Sequence, residues 1–263
     1  MQAITCNKCC TLLSSRRVFL LHMVAVAELE AIINENGARR EQERMNGINA
    51  GFGADCIYSE DNGFQLWLGS LEDALNLEAL EQNNISGVLN CALEDCRLEC
   101  ACFKPSGGFG RRRCHARGAS AMKGGDVTLN GGKQLDRDQI KGLASFDEDW
   151  YSMMLAREVA YLGIAADDKP GYAMNAHFAE SQEFLAQCRQ EGRRVLVHCV
   201  MGINRSSTAL VAFLCAERKM PLPDAVDLAS KGRGLILSNE TFLQQLTECF
   251  GQDHSDKSSL FSL

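Results

Sequence analysis

The feature that most constrains the fold is a buried strand that runs through a short loop into an apolar helix. Residues 194–198 form an apolar run of the kind that lies buried on both faces of a sheet. Cys199 follows, then five residues that include Gly202, and then Arg205 and the strongly apolar stretch 206–217. Ligands bind beyond the carboxyl ends of strands in open α/β sheets. The sequence therefore predicts an α/β fold with a binding site at this junction.

The loop between this strand and helix has the chemistry of an anion site. Its consecutive backbone N–H groups can form a nest for an anion, and the helix N-terminus adds partial positive charge. The same environment favours a thiolate, so Cys199 is predicted to be a nucleophile at neutral pH. Arg205 can present two N–H groups to two phosphate oxygens, and Gly202 lets the backbone approach the anion closely. The Ser206 hydroxyl can hydrogen-bond a departing thiolate.

The rest of the chain predicts further α/β units around this junction. A short strand over 65–68 ends at Gly69, and Ser70 with Asp73 forms a capping arrangement that opens a helix. Further strands are predicted over 87–92 and 158–164, and further helices over 175–189, with Asn175 as its cap, 221–230 and 240–250. Residues 93–149 are rich in glycine and lack apolar periodicity, so they are predicted to be a mostly flexible surface insertion.

The first 53 residues are predicted to be a partly helical extension, with a helix over 18–44. Its start, a basic pair followed by the apolar run 18–27, has the outline of a secretory signal. Because His22 interrupts that run and helical character continues from Glu28, a packed or surface amphipathic helix is the preferred interpretation. A catalytic domain over 54–252 and a polar tail over 253–263 complete the predicted organisation.

Composition narrows the function classes. The formal net charge of −7 and the pI near 5.3 argue against a nucleic-acid binder, because such proteins need a basic face. The thirteen cysteines are unevenly spaced in a chain of 263 residues, which favours free thiols in a reducing compartment over a disulfide framework. No apolar run reaches 18 residues, so no membrane span is predicted. We therefore expect a cytoplasmic protein, with the nucleus as a second location.

The sequence His198-Cys199, five residues, then Arg205-Ser206 resembles the signature of the protein tyrosine phosphatase superfamily. A second segment, from Tyr161 to Asp168, resembles the part of small dual-specificity phosphatases that supplies the general acid. Weaker similarity extends over most of residues 57–250, including the pattern around Asn239. The resemblance implies a phosphatase-like fold, in which a central, mostly parallel, twisted sheet is flanked by helices.

The resemblance also implies roles for individual residues. Cys199 would be the nucleophile, Asp168 the general acid and Arg205 the phosphate clamp, with Ser206 assisting the thiolate; Asp167 remains an alternative acid. The phosphate would be bound by the loop residues Val200, Met201, Gly202, Ile203, Asn204 and Arg205, and supported by His198 and Asn239. Hydrolysis of phosphotyrosine and phosphoserine or phosphothreonine would pass through a phosphocysteine, with no cofactor and no metal. The expected partners are phosphoprotein substrates and kinases of a signalling pathway.

Two departures from the family pattern bear on specificity. Met201 stands before the loop glycine where family members commonly have alanine, so its side chain can alter substrate choice at the pocket rim. The insertion over 93–149 has no counterpart in the family pattern, and its role stays open between docking partners, gating the site and neither.

Other functions stay open at this level. A non-protein substrate, such as a phosphoinositide or the 5′ end of RNA, is one alternative, and Asn204 before the loop arginine also occurs in RNA triphosphatases of the superfamily. The acidic chain and the absence of lysine between Cys199 and Arg205 argue against both substrates. A catalytically silent phosphate-binding scaffold is the other alternative, although nucleophile, clamp and acid are all present.

The remaining cysteines carry weaker signals. Zinc could be bound by Cys6, Cys9 and Cys10, or by Cys96, Cys100, Cys102, Cys114 and His115, but the spacings favour scattered thiols. Cys91 is predicted to be a small core residue, with a reversible disulfide to Cys199 as the alternative.

Overall fold

The computed structural model describes residues 7–45, 53–96, 127–128, 134–135 and 148–251. Most of the predicted insertion and the whole predicted tail over 253–263 therefore lie outside the described residues. Cys6, Cys100, Cys102, Cys114 and His115 lie outside them as well.

The architecture is a five-stranded sheet with helices packed around it. The strands are β1 (Asp55–Ser59), β2 (Gln65–Gly69), β3 (Ile85–Asn90), β4 (Val127–Thr128), β5 (Gln134–Leu135), β6 (Ala160–Gly163) and β7 (Arg194–His198). The order in the main sheet is β1-β2-β7-β3-β6, with β1 antiparallel to β2 and the other pairs parallel. β4 and β5 form a separate antiparallel pair. The predicted mostly parallel α/β sheet is confirmed, and β1 is a strand that the sequence pattern did not predict.

Eight α-helices are found in the described part of the chain. They are α1 (Asn7–Met45), α2 (Leu71–Ala74), α3 (Leu77–Gln82), α4 (Glu148–Leu155), α5 (Phe178–Gln190), α6 (Arg205–Arg218), α7 (Leu222–Arg233) and α8 (Glu240–Phe250). A 3₁₀ helix, Met174–His177, precedes α5. Of these described helices, none combines the length and the apolar character needed to cross a membrane.

The apolar run that dominates the sequence lies at the centre of the fold. Val195, Leu196 and Val197 of β7 are fully buried between β2 and β3. The carboxyl ends of the three strands are in register, because His198 pairs with Gly69 on one side and with Asn90 on the other. The chain that leaves β7 therefore emerges at the middle of one sheet edge, where α6 begins.

One predicted cap is wrong. Asn175 does not cap a helix; it lies within the 3₁₀ helix, and α5 begins three residues later, with His177 as an N-cap that makes no side-chain hydrogen bond. The backbone N–H of Asn175 instead donates to the Gln245 side chain of α8 at 2.9 Å. A tertiary contact with α8 thus satisfies the N–H of Asn175, which the local sequence pattern had placed at the start of a longer helix.

The capping box at the end of β2 is confirmed. The Ser70 hydroxyl accepts from the backbone N–H of Asp73, and the Asp73 carboxylate accepts from the backbone N–H of Ser70 at 2.7 Å. The helix that it opens, α2, has only four residues, and Asn76 caps a second helix, α3. The sequence had suggested one helix here.

The N-terminal helix is part of the folded body. Val26, Leu29 and Ile33 of α1 are buried in the main apolar core, and α1 packs against α7 and α8. The packed-helix interpretation is confirmed for the second half of α1, whose side chains from residue 23 to 43 are described.

Candidate active site

Cys199 lies directly after β7 and is almost fully buried, with 1% of its surface exposed. Its Sγ accepts two hydrogen bonds, from the backbone N–H of Gly202 at 3.2 Å and from the Ser206 hydroxyl at 3.3 Å. Both donors lie within the loop and the first turn of α6. These donors and the N-terminus of the helix place partial positive charge around the sulfur.

The loop is held from outside through four successive carbonyl groups. The Val200 oxygen accepts from the Leu71 N–H at 3.1 Å, and the Ile203 oxygen accepts from the Leu237 N–H at 2.9 Å. The Met201 and Gly202 oxygens accept from one guanidinium, as described below. In a trans peptide the N–H points opposite to the C=O, and no described peptide is cis. The N–H groups that follow these carbonyls therefore point inward, as an anion nest requires.

Arg233, at the end of α7, donates hydrogen bonds to the carbonyl oxygens of Met201 and Gly202. Its Nε donates to the Gly202 oxygen at 2.9 Å and its Nη2 donates to the Met201 oxygen at 3.3 Å. The same side chain reaches the Leu68 oxygen at the end of β2, at 3.2 Å. Sequence analysis missed this role, because nothing in the local pattern around Arg233 indicates which carbonyls it meets.

Gly202 occupies a backbone conformation that other residues rarely adopt, with φ of +71°. A Cβ added there would lie 2.5 Å from the Gly69 carbonyl oxygen at the end of β2. Glycine is required at this position for two reasons: the backbone is left-handed, and β2 approaches too closely to leave room for a side chain.

Arg205 is the first residue of α6 and is 4% exposed. Its Nη1 donates to the Asp95 carboxylate at 2.5 Å and to the Ala166 carbonyl at 3.0 Å. Burial opposes its charge, but Asp95, Cys199 and Asp168 outweigh that cost and raise the pKa of Arg205. Among the described residues, no group accepts from its buried Nε. Buried N–H groups in folded proteins are almost always hydrogen-bonded, so this Nε is available to an anion that binds in the loop.

Asp95 is the second residue that sequence analysis missed. It follows β3, the neighbour of β7, at the beginning of the segment predicted as an insertion. In the sequence, only its position five residues beyond the end of β3 could have indicated that it lies at the same sheet edge as Cys199. It accepts from the Nη1 of Arg205 and so leaves the Nε of the same guanidinium to another acceptor.

Asp168 is held at the loop by two amide side chains. The Asn204 Nδ2 donates to its two oxygens at 3.0 and 3.3 Å, and the Asn239 Nδ2 donates to Oδ1 at 2.9 Å. The Asn204 Oδ1 in turn accepts from the Ser238 hydroxyl and the Asn239 N–H, each at 3.1 Å. Asp167 instead forms an exposed ion pair with Lys169. Of the two candidate acids, only Asp168 contacts the loop.

His198 is buried beside Cys199. Its Nδ1 lies 3.4 Å from the Cys199 carbonyl oxygen, and because that oxygen can only accept, Nδ1 carries the proton. Burial is the main reason that the pKa of His198 falls to about 4; the hydrogen bond to Cys199 opposes this shift and the charge of Arg205 acts in the same direction as burial. The ring is therefore neutral at physiological pH.

The other loop positions differ in exposure. Met201 is 64% exposed at the surface of the loop, whereas Val200 and Ile203 are half-buried. The side chain of Met201 is thus free to meet whatever approaches the loop, in keeping with the rim position predicted for it.

Cys91 and Cys96 are buried near the site. Burial raises the pKa of Cys91 well above its usual range, and the charge of Cys199 acts in the same direction. Its backbone N–H donates to the His198 carbonyl at 2.8 Å, and the Cys96 thiol lies 3.5 Å from the Asn90 side-chain oxygen. Cys91 belongs to the main apolar core, as predicted. In the part of the chain that the structure describes, no cluster of three metal-ligating side chains is found.

Residues 133–252 match the family model described as dual specificity phosphatase, catalytic domain. Dual specificity protein phosphatase 15 of Rattus norvegicus is 32% identical over 124 residues, which are 47% of this chain and 51% of the relative. Dual specificity protein phosphatase 22 of Mus musculus is 33% identical over 116 residues, 44% of this chain and 62% of the relative. The chain thus spans about half the length of the first of these relatives and about three fifths of the second.

Among solved structures, the crystal structure of DUSP15 matches this chain with a TM-score of 0.48 and 22% sequence identity. The match covers 79% of this chain and 92% of that chain.

Proposed function

We propose that this chain, which carries a dual specificity phosphatase catalytic domain over residues 133–252, hydrolyses phosphotyrosine and phosphoserine or phosphothreonine in proteins. The reaction needs no metal ion and passes through a phosphocysteine on Cys199. Phosphoproteins are the proposed partners.

The observation that carries the proposal is the buried Nε of Arg205, for which the described residues offer no acceptor. It lies on a guanidinium that Asp95 and Ala166 fix through Nη1, next to a nucleophile that accepts from the Gly202 N–H. A phosphate bound in the loop would supply the missing acceptor, and a guanidinium can hold two of its oxygens at once. The inward N–H groups would bind the remaining charge.

In the first step the Cys199 thiolate attacks phosphorus in line with the ester oxygen of the substrate. The S–P bond forms while the P–O bond to the leaving group breaks, and Asp168 gives its proton to the leaving oxygen. Arg205 and the loop N–H groups stabilise the charge on the three equatorial oxygens, which develops in the transition state.

In the second step the Asp168 carboxylate takes a proton from a water molecule whose oxygen attacks the phosphocysteine. The S–P bond breaks, inorganic phosphate forms, and the thiolate leaves with its charge stabilised by the Ser206 hydroxyl. Ser206 already donates to the Sγ at 3.3 Å, so this stabilisation needs no rearrangement.

The arrangement of Asn204 favours a protein substrate over an RNA end. The hydrogen bonds of its side chain to Asp168, Ser238 and Asn239 hold the proposed general acid at the loop. The contacts with Asp168 therefore explain the asparagine at position 204, and an RNA triphosphatase activity is not needed to explain it. The loop from Val200 to Asn204 also presents no cationic side chain to a polyanionic headgroup.

The test is hydrolysis of an aryl phosphate, a phosphotyrosine peptide and a phosphothreonine peptide in the presence of EDTA and reductant. We expect turnover by the wild type, its loss in Cys199→Ser, and a fall of about 100-fold or more in kcat for Asp168→Asn. The matched controls are Cys56→Ser, an exposed cysteine on β1, and Asp167→Asn, whose carboxylate faces Lys169.

Three results would overturn the proposal. They are turnover that survives in Cys199→Ser, turnover that disappears with EDTA, and equal losses in Asp167→Asn and Asp168→Asn. A phosphoinositide and a triphosphate RNA, assayed beside the peptides, identify a non-protein substrate if one of them is preferred. Binding of phosphate without any turnover would instead indicate a scaffold.

A further inference from the structure

We infer that α1, which lies outside the matched residues 133–252, positions the phosphate-binding loop through Arg40. The connection runs from Arg40 to Asp55, from Asp55 to Arg233, and from Arg233 to the loop carbonyls. Arg40 is therefore a positioning residue for the hydrolysis proposed above, on which the activity part of this inference rests.

The connection begins at the loop. The peptide between Met201 and Gly202 offers its oxygen to Arg233 and its N–H to the Sγ of Cys199. The next peptide offers its oxygen to the Nε of Arg233, so its N–H also faces inward. Any shift of the Arg233 guanidinium thus changes the donors that surround the nucleophile and the phosphate.

Asp55 of β1 connects this guanidinium to α1. One carboxylate oxygen accepts from the Arg40 Nη2 at 2.7 Å, and the other lies 3.4 Å from the Arg233 Nη1. The side chains of Arg40, Asp55 and Arg233 are 23%, 26% and 15% exposed. Such shielded pairs are screened less than pairs at an open surface. One carboxylate is therefore shared between two cations, and the stronger bond goes to α1.

The sharing explains how α1 can influence the loop. While Arg40 holds Asp55, the carboxylate makes only a long contact with the Nη1 of Arg233, and the Nε and Nη2 of Arg233 bind the loop carbonyls. Without Arg40, Arg233 is the one cation that the described residues leave to Asp55, and the carboxylate closes on it. That movement draws the guanidinium away from the Gly202 and Met201 oxygens.

The contacts that hold α1 against α7 lie close to Arg40 and Arg233. Asn36, one turn before Arg40, is buried and donates to the Ser230 hydroxyl at 2.8 Å and to Asp227 at 3.0 Å. Gly234 directly follows Arg233, and a Cβ added there would lie 2.9 Å from the Cβ of Arg40. The two segments therefore pack closely where the ion pairs form.

The experiment compares Arg40→Met with Arg40→Lys, Arg39→Met and Asn36→Ala in the full chain. Methionine keeps the packing of the Arg40 stem against Gly234 and removes the charge, and lysine restores a cation. Arg39 is the matched control, because it lies on the same helix, is 48% exposed and lies 4.0 Å from Glu43. Its charge acts on Asp227, whereas Arg40 and Arg233 are the cations that act on Asp55. Asn36→Ala loosens the docking of α1 without touching Asp55.

Three quantities are measured below the melting temperature of each variant: the alkylation rate of Cys199 at pH 6, the binding of inorganic phosphate, and kcat and KM for an aryl phosphate. For Arg40→Met we expect alkylation, phosphate affinity and kcat/KM each to fall about 3- to 10-fold. Arg40→Lys should recover part of each loss. Arg39→Met should match the wild type in all three, and Asn36→Ala should lower only the melting temperature.

The inference would be overturned if the values for Arg40→Met lay within twofold of those for Arg39→Met in all three quantities. It would also be overturned if Asn36→Ala reproduced the losses seen in Arg40→Met. If Arg40→Met does not fold, the difference between Arg40→Lys and wild type decides the same question. A wild type without turnover would contradict the proposed function alone. The alkylation and phosphate-binding measurements would still decide the role of Arg40.

Discussion

Acid should destabilise this protein through one buried side chain, His198. A histidine in an unfolded chain has a pKa near 6.5, whereas burial holds the pKa of His198 at about 4 in the folded protein. As the pH falls, the unfolded state therefore binds a proton before the folded state does. The stability associated with His198 is fully present above pH 6.5 and is lost as the pH falls towards 4.

The two pKa values set the size of the effect. The unfolding free energy should fall by about 2 kcal/mol between pH 7 and pH 5, and by about 3 kcal/mol at pH 4, through this group alone. Carboxyl groups act mainly at lower pH. Asp227, for example, has a pKa lowered by its hydrogen bond from Lys231, and its stabilising effect is lost as the pH falls below about 4. A variant without the imidazole separates these contributions.

The assay is denaturant unfolding of the wild type and of His198→Asn at pH 7, 6, 5 and 4.5. Asparagine keeps a donor near the Cys199 carbonyl but cannot titrate, so the variant should be less stable at pH 7 and lose less stability on acidification. The difference between the two proteins should narrow by about 2 kcal/mol by pH 5. Parallel curves would refute the reasoning, because they would mean that His198 charges equally well in both states.

Three further predictions concern the site. Gly202→Ala should abolish most activity and lower stability by about 1–3 kcal/mol, more than Gly171→Ala does. Both glycines have positive φ, but an added Cβ meets a backbone oxygen only at Gly202; thermal melts of both variants measure this. Asn239→Ala should reduce kcat about 10-fold and leave KM within twofold, because Asp168 loses a donor that orients it. Steady-state kinetics with an aryl phosphate measures both constants, and a change in KM alone would contradict the prediction. Met201→Ala should leave aryl phosphate turnover within about twofold, since the side chain is exposed, and change the ranking of phosphopeptides; an unchanged ranking would show that Met201 does not take part in substrate choice.

Local pattern was sufficient where the chemistry is contiguous in sequence. The apolar strand β7, Cys199, Gly202 and Arg205 lie within a dozen residues of one another, so hydrophobicity and spacing could predict their arrangement. The capping box of Ser70 and Asp73 is equally local and was predicted for the same reason. A group of residues that are neighbours in sequence needs no knowledge of the tertiary fold.

Local pattern failed where a distant partner competes. Asn175 has the residue type of a helix cap, yet Gln245 takes its N–H and the helix begins later. The choice between Asp167 and Asp168 stayed open for a similar reason. The two acids are adjacent in the chain, and the groups that distinguish them, Asn204 and Asn239, lie 36 and 71 residues from Asp168.

The sequence by itself determined the buried parallel strand β7, and it predicted the residues that we propose as nucleophile, phosphate clamp and anion-binding loop. Only the tertiary structure decided what surrounds them: Asp95 on the clamp, 110 residues away along the chain, Arg233 on the loop carbonyls, and α1 behind Asp55. These contacts follow from the strand order β1-β2-β7-β3-β6. That order brings the ends of distant segments to one sheet edge, and no local periodicity encodes it, because each strand pattern fits several positions in a sheet.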